Sequence, residues 1–392
     1  MDIPLLSVCL ITYNHVNYIK QAIDGVLMQK VDFAWELIIA DDFSTDGTRE
    51  IVLEYKNKYP DLIKLILQEK NVGAAQNFID LITAPKSKYI AYFEGDDYWT
   101  DPLKLQKQVD FLESHEEFIL CFHNALVKHE DSSKDYLLSS VHNSDISIHN
   151  KNTFNCTDII CSPWFIPTAS IVFRNIGLKL PIWYQQAFSG DIALELLLSD
   201  KGEFKYLDSV MSVYRKHEGG ITNWQTINYL TKVVPNQIIL YNNFDDYTNF
   251  IYHQSIVDTI KSKIYLLTTP SASLSYLDYI PKNPHKYVSE LTTIISNISS
   301  KCVSEIKNSI IDKLFLRRLI VHGLYLHGNS FYSEGNYTDA LSYYFHILKI
   351  NPFELRAIIY CVLLNMGFFG RKIRNFLHKV RGYSSKPNTP IF

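Results

Sequence analysis

The first half of the chain alternates between two periods of hydrophobic and polar positions. Leu5 to Thr12 is a short, nearly continuous apolar run rich in β-formers, the pattern of a strand buried on both faces, and it stops at the loop Tyr13-Asn14. Tyr18 to Met28 then sets Ile19, Ala22, Ile23, Val26 and Leu27 at helical spacing. Trp35 to Ala40 repeats the strand pattern and ends at Asp41-Asp42; Ser44-Thr45-Asp46-Gly47 makes a turn and a helix follows over Thr48 to Tyr59. Leu62 to Leu67 reads as a third strand, Gln76 to Ile82 as a third helix and Tyr89 to Phe93 as a fourth strand. The alternation predicts βαβ units and an α/β fold with a mainly parallel sheet covered on both faces.

Beyond the fourth strand, Thr100-Asp101-Pro102 starts a helix over Leu103 to Ser114, since Pro at the first helical position after an Asp or Thr cap costs no hydrogen bond. Phe118 to Val127 reads as a strand, and Asp131 to Asn155 is polar and poorly periodic, an excursion over the surface. Ser162 to Ser170 leads into a strand at Ile171 to Phe173, and Trp164 within it fits either a buried core ring or a platform for a sugar. Ser189-Gly190-Asp191 opens a helix over Ile192 to Ser199, and Tyr206 to Tyr214 forms a late strand ending in Arg215-Lys216-His217-Glu218-Gly219-Gly220. From Thr226 onward the pattern becomes helical. Within it, Val321 to Glu354 fits one tetratricopeptide-like repeat of about 34 residues, with Gly328, Phe331, Ala340, Tyr344 and Pro352 in place. A single unit does not bury its own face, so it is expected to dock on neighbouring helices, as a hairpin for packing or homodimer formation or as a peptide site. The expected division is 1–225 and 226–392, two domains for 392 residues.

Chemistry gathers at the strand ends. Glu94-Gly95-Asp96-Asp97 puts three carboxylates in four residues after the fourth strand. Ionised groups that close repel one another, and a hard divalent cation such as Mn²⁺ or Mg²⁺ relieves the repulsion. Thr12-Tyr13-Asn14, Asp41-Asp42 and Asn71 with Gly73 fall at the same edge, where parallel sheets bind ligands.

Taken in order, Ser7 to Asn14, Glu36 to Thr48, Asn71-Val72-Gly73 and Glu94-Gly95-Asp96-Asp97-Tyr98-Trp99 resemble the successive blocks of family 2 glycosyltransferases, which have the GT-A fold; the resemblance covers roughly residues 5 to 220. It implies a nucleotide-sugar donor, most often a UDP-sugar, a glycan or lipid-linked acceptor, and a metal held by the Asp-x-Asp element. By position, Thr12, Tyr13 and Asn14 would line the donor pocket, and Asp42 would accept hydrogen bonds from the base. Asp41 would share that role or shape the turn, with Asn71 nearby. Asp96 and Asp97 would serve the ribose and the metal in either assignment, and Glu94 stands where the family more often has Asp. The resemblance places the catalytic base at Asp191, Arg215 at the leaving diphosphate and His217 beside the metal. One base facing a leaving diphosphate implies a single displacement with inversion.

Composition narrows the partners. A formal charge of -3 and a pI near 6.5 lack the basic field of a nucleic-acid binder. The 6 Cys are scattered without a Cys-x-x-Cys pair and read as reduced cytosolic thiols. With no leader-like start and no apolar run of about 18 residues, the expectation is a cytoplasmic protein. Arg371, Lys372, Arg374, Lys379 and Arg381 form a basic run that reads equally as a peripheral contact with an anionic membrane or as the solvated end of a buried helix. Two rivals follow from the same residues: a non-catalytic nucleotide-binding scaffold that recruits partners through its helical region, and a nucleotidyltransferase. The second would need a Gly-rich triphosphate loop, which the N-terminal region does not offer.

Overall fold

The computed structural model describes residues 3–130, 134–141, 151–162, 165–217, 234–266, 324, 331 and 336–350. The chain divides into two compact units, one of Met1–Asn223 with Leu240–Asp258, the other of Trp224–Ile239 with Thr259–Phe392. Trp164, Glu218 to Gly220, most of the repeat expected over 321–354 and the basic run at 371–381 lie outside the described residues.

The first unit is built on a mixed sheet. Its strands are β1 (Leu6–Thr12), β2 (Trp35–Asp41), β3 (Ile63–Leu67), β4 (Tyr89–Glu94), β5 (Tyr98–Trp99), β6 (Phe118–His129), β7 (Tyr136–Leu137), β8 (Thr153–Phe154), β9 (Val172–Arg174) and β10 (Glu203–Lys216). Helices α1 (Ile19–Leu27), α2 (Thr48–Lys58), α3 (Ala74–Thr83), α4 (Lys104–Ser114), α5 (Leu138–Val141), α6 (Cys156–Cys161) and α7 (Gly190–Ser199) connect them. The order β3-β2-β1-β4-β9-β6-β10-β5 joins a parallel half, β3 to β4, to a second half where β6 and β10 are parallel and β9 and β5 run antiparallel. The expected parallel sheet is thus the first four strands. Of the antiparallel strands, β9 falls where the sequence predicts a strand, at Ile171 to Phe173, whereas β5 is two residues long and is set by its pairing with β10.

Strand β1 is the axis. Leu6, Val8 and Leu10 on one face and Cys9 on the other are all buried, so both faces are covered, as its nearly continuous apolar run predicts. The first face packs on Ile19, Ala22, Ile23 and Val26 of α1 and on Leu105, Val109 and Leu112 of α4; Cys9 faces the Leu81 carbonyl of α3. After β3 the chain crosses to the other side of β1, so β1 and β4 flank the switch point where such sheets open a crevice. Register levels their ends: Thr12 pairs with Asp41, Ile11 with Glu94, and the Gly95 amide donates to the Ile11 carbonyl.

Among the boundaries that differ from expectation, those of α4 and β10 have local reasons. Helix α4 begins at Lys104, because Asp101 Oδ1 accepts the Leu103 amide and holds a turn ahead of the helix. Strand β10 begins at Glu203, three residues earlier than its apolar pattern, because β8 and β6 supply partners to Phe204 and Lys205. Pairing, not composition, carries those positions.

Helices α8 (Val234–Tyr247) and α9 (His253–Leu266) follow, and α10 (Tyr337–Ile350) is described in the second unit. In α10, Ala340, Tyr343, Tyr344 and Ile347 form a buried stripe at helical spacing, and Phe331 meets Tyr343 at 5.5 Å. No helix among the described residues is long and apolar enough to cross a membrane.

Trp99 joins the two halves of the sheet. It is buried, packs on Phe93 at 4.7 Å, and donates its indole N–H to the Ala169 carbonyl at 2.8 Å. Trp99→Phe removes ring area and strands that carbonyl. It is expected to lower the unfolding free energy of the first unit by roughly 2–4 kcal/mol, read as a lower urea midpoint at unchanged slope.

Candidate active site

The loops after β1 and β2 are laced together. Asn14, in the left-handed region at φ +54°, donates its amide to Ser44 Oγ and accepts the Thr45 amide on Oδ1; Asn and Asp tolerate that backbone best. The His15 amide donates to Thr48 Oγ1 and the Val16 amide to Asp46 Oδ2. Thr12 is buried, its carbonyl accepts the Asp42 amide, and its hydroxyl lies 3.3 Å from His15 Nδ1. Tyr13 and Asn71 are exposed, as is Phe43, which is left-handed at φ +61°.

The two aspartates after β2 diverge. Asp41 is fully buried and committed inward, 2.5 Å from Arg49 Nε and accepting the Ser44 amide. Asp42 braces the loop after β3: its oxygens accept the Val72 amide at 2.7 Å and the Gly73 amide at 3.0 Å. Gly73 supplies that amide from φ +87°, a conformation that favours glycine. Burial lifts the Asp42 carboxyl above its ordinary range against the pull of both amides and with a smaller push from Asp41.

The acidic turn after β4 is more crowded. Asp97 is buried, and its Oδ1 accepts the Arg215 amide at 2.9 Å. Asp96 faces the other way: its Oδ2 lies 3.1 Å from His217 Nε2 and 3.9 Å from His15 Nε2, while its Oδ1 is buried without a partner. Burial would raise Asp96, yet the His217 hydrogen bond and the nearby His15 outweigh it and hold it below its ordinary value. Burial, with the charge of Asp96 added, drives Glu94 and Asp97 well above the usual carboxylate range. Gly95 is needed between them, since a Cβ there would sit 3.0 Å from Thr12 Oγ1 and His15 Nδ1.

Arg215 is enclosed. Its guanidinium stacks between Tyr98 at 4.5 Å and Tyr18 at 5.1 Å and donates to the Asp96 carbonyl and to Gln21 Oε1. The expected anion-facing arginine is therefore also the post on which the acidic turn hangs.

Asp191 lies in the first turn of α7, near enough for its charge to raise Glu94 and Tyr92. Its own carboxyl is raised by burial, with the amides of the helix start opposing. A column of rings sets its place: Tyr92 of β4 meets Phe78 at 4.8 Å, Phe78 stacks on Tyr184 at 5.6 Å, and the Tyr184 hydroxyl donates to the Gly190 carbonyl at 2.6 Å. The rings, together with His15, Tyr18 and Gln21, escaped the sequence reading. Aromatic residues inside apolar patterns read as core, so the sequence carries no signal that marks these rings.

The geometry brings Glu94, Asp96, Asp97, Arg215, His217 and Asp191 to one end of the sheet, with Thr12 beside them through His15. Asp41 turns away. Among the described residues no three His, Cys, Asp or Glu side chains are grouped to hold a metal ion unaided. The unpartnered oxygen of Asp96 and the adjacent imidazole of His217 nonetheless suit a hard cation that takes its remaining oxygens from a ligand.

The brace on Asp42 is open to test. In Asp42→Ala the amides of Val72 and Gly73 lose charge-assisted bonds, and their hydrogen exchange is expected to quicken about tenfold or more while β1 amides keep their protection.

Known proteins agree with this picture. Residues 7–170 match the family model described as Glycosyl transferase family 2. An uncharacterized protein of Mycobacterium tuberculosis is 39% identical over 228 residues, 55% of this chain and 60% of the relative, so the chain spans about 60% of that relative's length. The Escherichia coli UDP-Glc:alpha-D-GlcNAc-diphosphoundecaprenol beta-1,3-glucosyltransferase WfaP is 27% identical over 221 residues, 56% of this chain and 80% of that one. Among solved structures, Staphylococcus aureus TarS 1-349 in complex with UDP-GlcNAc is similar in fold, with a TM-score of 0.53 at 16% identity, over 85% of this chain and 92% of that chain. Strand order and structural likeness agree on a GT-A-like fold, and within it residues 7–170 are similar to the Glycosyl transferase family 2 model.

Proposed function

We propose that this chain is a glycosyltransferase that moves a sugar from a nucleotide-sugar, most simply a UDP-sugar, to a hydroxyl of a glycan or lipid-linked acceptor with inversion at the anomeric carbon. The observation that carries the reading is the approach of Asp191, from the start of α7, to the acidic turn after β4, close enough for their charges to be felt. The donor preference draws support from WfaP, named for UDP-Glc and a diphosphoundecaprenol-linked acceptor, and from TarS, whose structure holds UDP-GlcNAc.

In this reading Thr12, Tyr13, Asn14, Asp42, Asn71 and Glu94 surround the donor, with Asp42 accepting from the base. Asp191 takes the proton of the attacking hydroxyl, whose oxygen bonds to the anomeric carbon as the carbon–oxygen bond to the diphosphate breaks. Burial suits Asp191 to this work, because a raised carboxyl is a stronger base. Asp96 and His217 would hold a divalent cation, Mn²⁺ or Mg²⁺; when bound, it supplies charge neutralisation at the departing diphosphate. Asp97 acts as a brace for β10 through the Arg215 amide.

Asp191→Asn is expected to reduce transfer or donor hydrolysis by about 10²- to 10⁴-fold while UDP binding by calorimetry stays within threefold of wild type, roughly the weight of one general base. Turnover near the wild-type rate would remove Asp191 from the role. The pH profile adds a second check. The base works ionised, so kcat should fall as pH drops through its folded pKa, and that limb should lie above the pH of an ordinary Asp because the shift is upward. Chelation with EDTA should weaken UDP binding at least tenfold, and Mn²⁺ should restore it in the wild type but not in Asp96→Asn.

A further inference from the structure

We propose that Tyr18 is a positioning residue for the diphosphate end of this site, its ring holding Arg215 and His217 in place at the end of β10. The inference rests on the reading above, in which Asp96 and His217 meet the donor's diphosphate.

Tyr18 immediately precedes α1, anchored by its own amide to the His15 carbonyl at 2.9 Å and by its carbonyl to the Ala22 amide at 3.1 Å. From this fixed base the ring meets the His217 ring at 4.6 Å between centroids, and the Arg215 guanidinium lies 5.1 Å from the same ring. The Tyr98 ring also meets this guanidinium, at 4.5 Å. The Tyr18 hydroxyl donates to Glu130 Oε2 at 2.9 Å, and the Glu130 amide donates to the Lys216 carbonyl at 3.1 Å. One side chain thus touches both functional residues at the end of β10 and the end of its neighbour β6.

The ring matters more than the hydroxyl. The hydroxyl's contact with Glu130 is solvent-exposed, where a hydrogen bond exchanges with water at little net cost. The ring instead meets a buried cation and an imidazole, contacts that water does not replace. Without the ring, one face of Arg215 opens. Its amide holds Asp97 and its guanidinium holds the Asp96 carbonyl, so both ends of the acidic turn loosen together with His217. Tyr18 does not touch the reacting atoms in this scheme; it acts through His217 and Arg215.

The test is calorimetric binding of UDP with Mn²⁺ to the full chain in wild type, Tyr18→Phe and Tyr18→Leu, with thermal unfolding of each. Tyr18→Phe keeps the ring and is expected to bind within about threefold of wild type. Tyr18→Leu is expected to bind roughly tenfold or more weakly while melting within a few degrees of wild type. Should Tyr18→Leu unfold, Tyr18→Met fills similar volume without a ring and carries the same expectation. Unchanged binding in the ring-less variant overturns the inference. So does a loss in Tyr18→Phe as large as in Tyr18→Leu, which would give the role to the hydroxyl and Glu130. Absence of UDP binding by the wild type sinks instead the donor reading on which the inference stands.

Discussion

Carboxyl groups of Glu94, Asp96 and Asp97 gather at the end of one buried strand with Asp191 of α7 near them, and water does not reach them freely enough to hold four negative charges there. Charge is therefore divided unevenly. Burial and mutual repulsion keep Glu94 and Asp97 well above their ordinary range, while imidazoles favour the charge on Asp96 alone. The remaining structure serves this division. Arg215 lends its amide to Asp97, its guanidinium to the Asp96 carbonyl, and its two faces to Tyr18 and Tyr98.

Around that centre the loops behave as one piece. The exchange among Asn14, Ser44, Thr45 and Thr48 fixes the β1 and β2 ends to each other, and Asp42 fixes both to the β3 end. Site residues drawn from loops usually bring mobility. Here short polar side chains satisfy backbone amides that would otherwise need water. The result is a rim whose shape is specified by hydrogen bonds, with the rings of Tyr13 and Phe43 exposed and Arg49 lying over the latter.

Much of this was legible in the sequence. The nearly continuous apolar runs of β1, β2 and β4 marked strands buried on both faces, and the polar residues after them marked the rim, because period and burial are local properties of the chain. The direction in which each polar side chain turns was not legible. Asp41 and Asp42 are adjacent and chemically identical, yet one is spent on Arg49 and the other on the loop after β3. Likewise Asp96 meets His217 and Asp97 meets the Arg215 amide, a choice set when β10 pairs with β5 and β6. Short strands such as β5 and β8, and the ring column that places Asp191, depend on the same distant pairings. Propensity over a few residues carries no trace of them.

The position of β10 in the chain has a consequence for biogenesis. The four strands β3-β2-β1-β4 are complete once Glu94 has been made, and they hold the apolar centre of the first unit. The partner that steadies the acidic turn is Arg215, which lies 118 residues beyond Asp97. A chain emerging from the ribosome would therefore own its half-sheet well before it owned a working crevice, and long-range closures of this kind form slowly. Until β10 arrives, the acidic turn would face water as ordinary ionised carboxylates, and competence would be acquired in one late step.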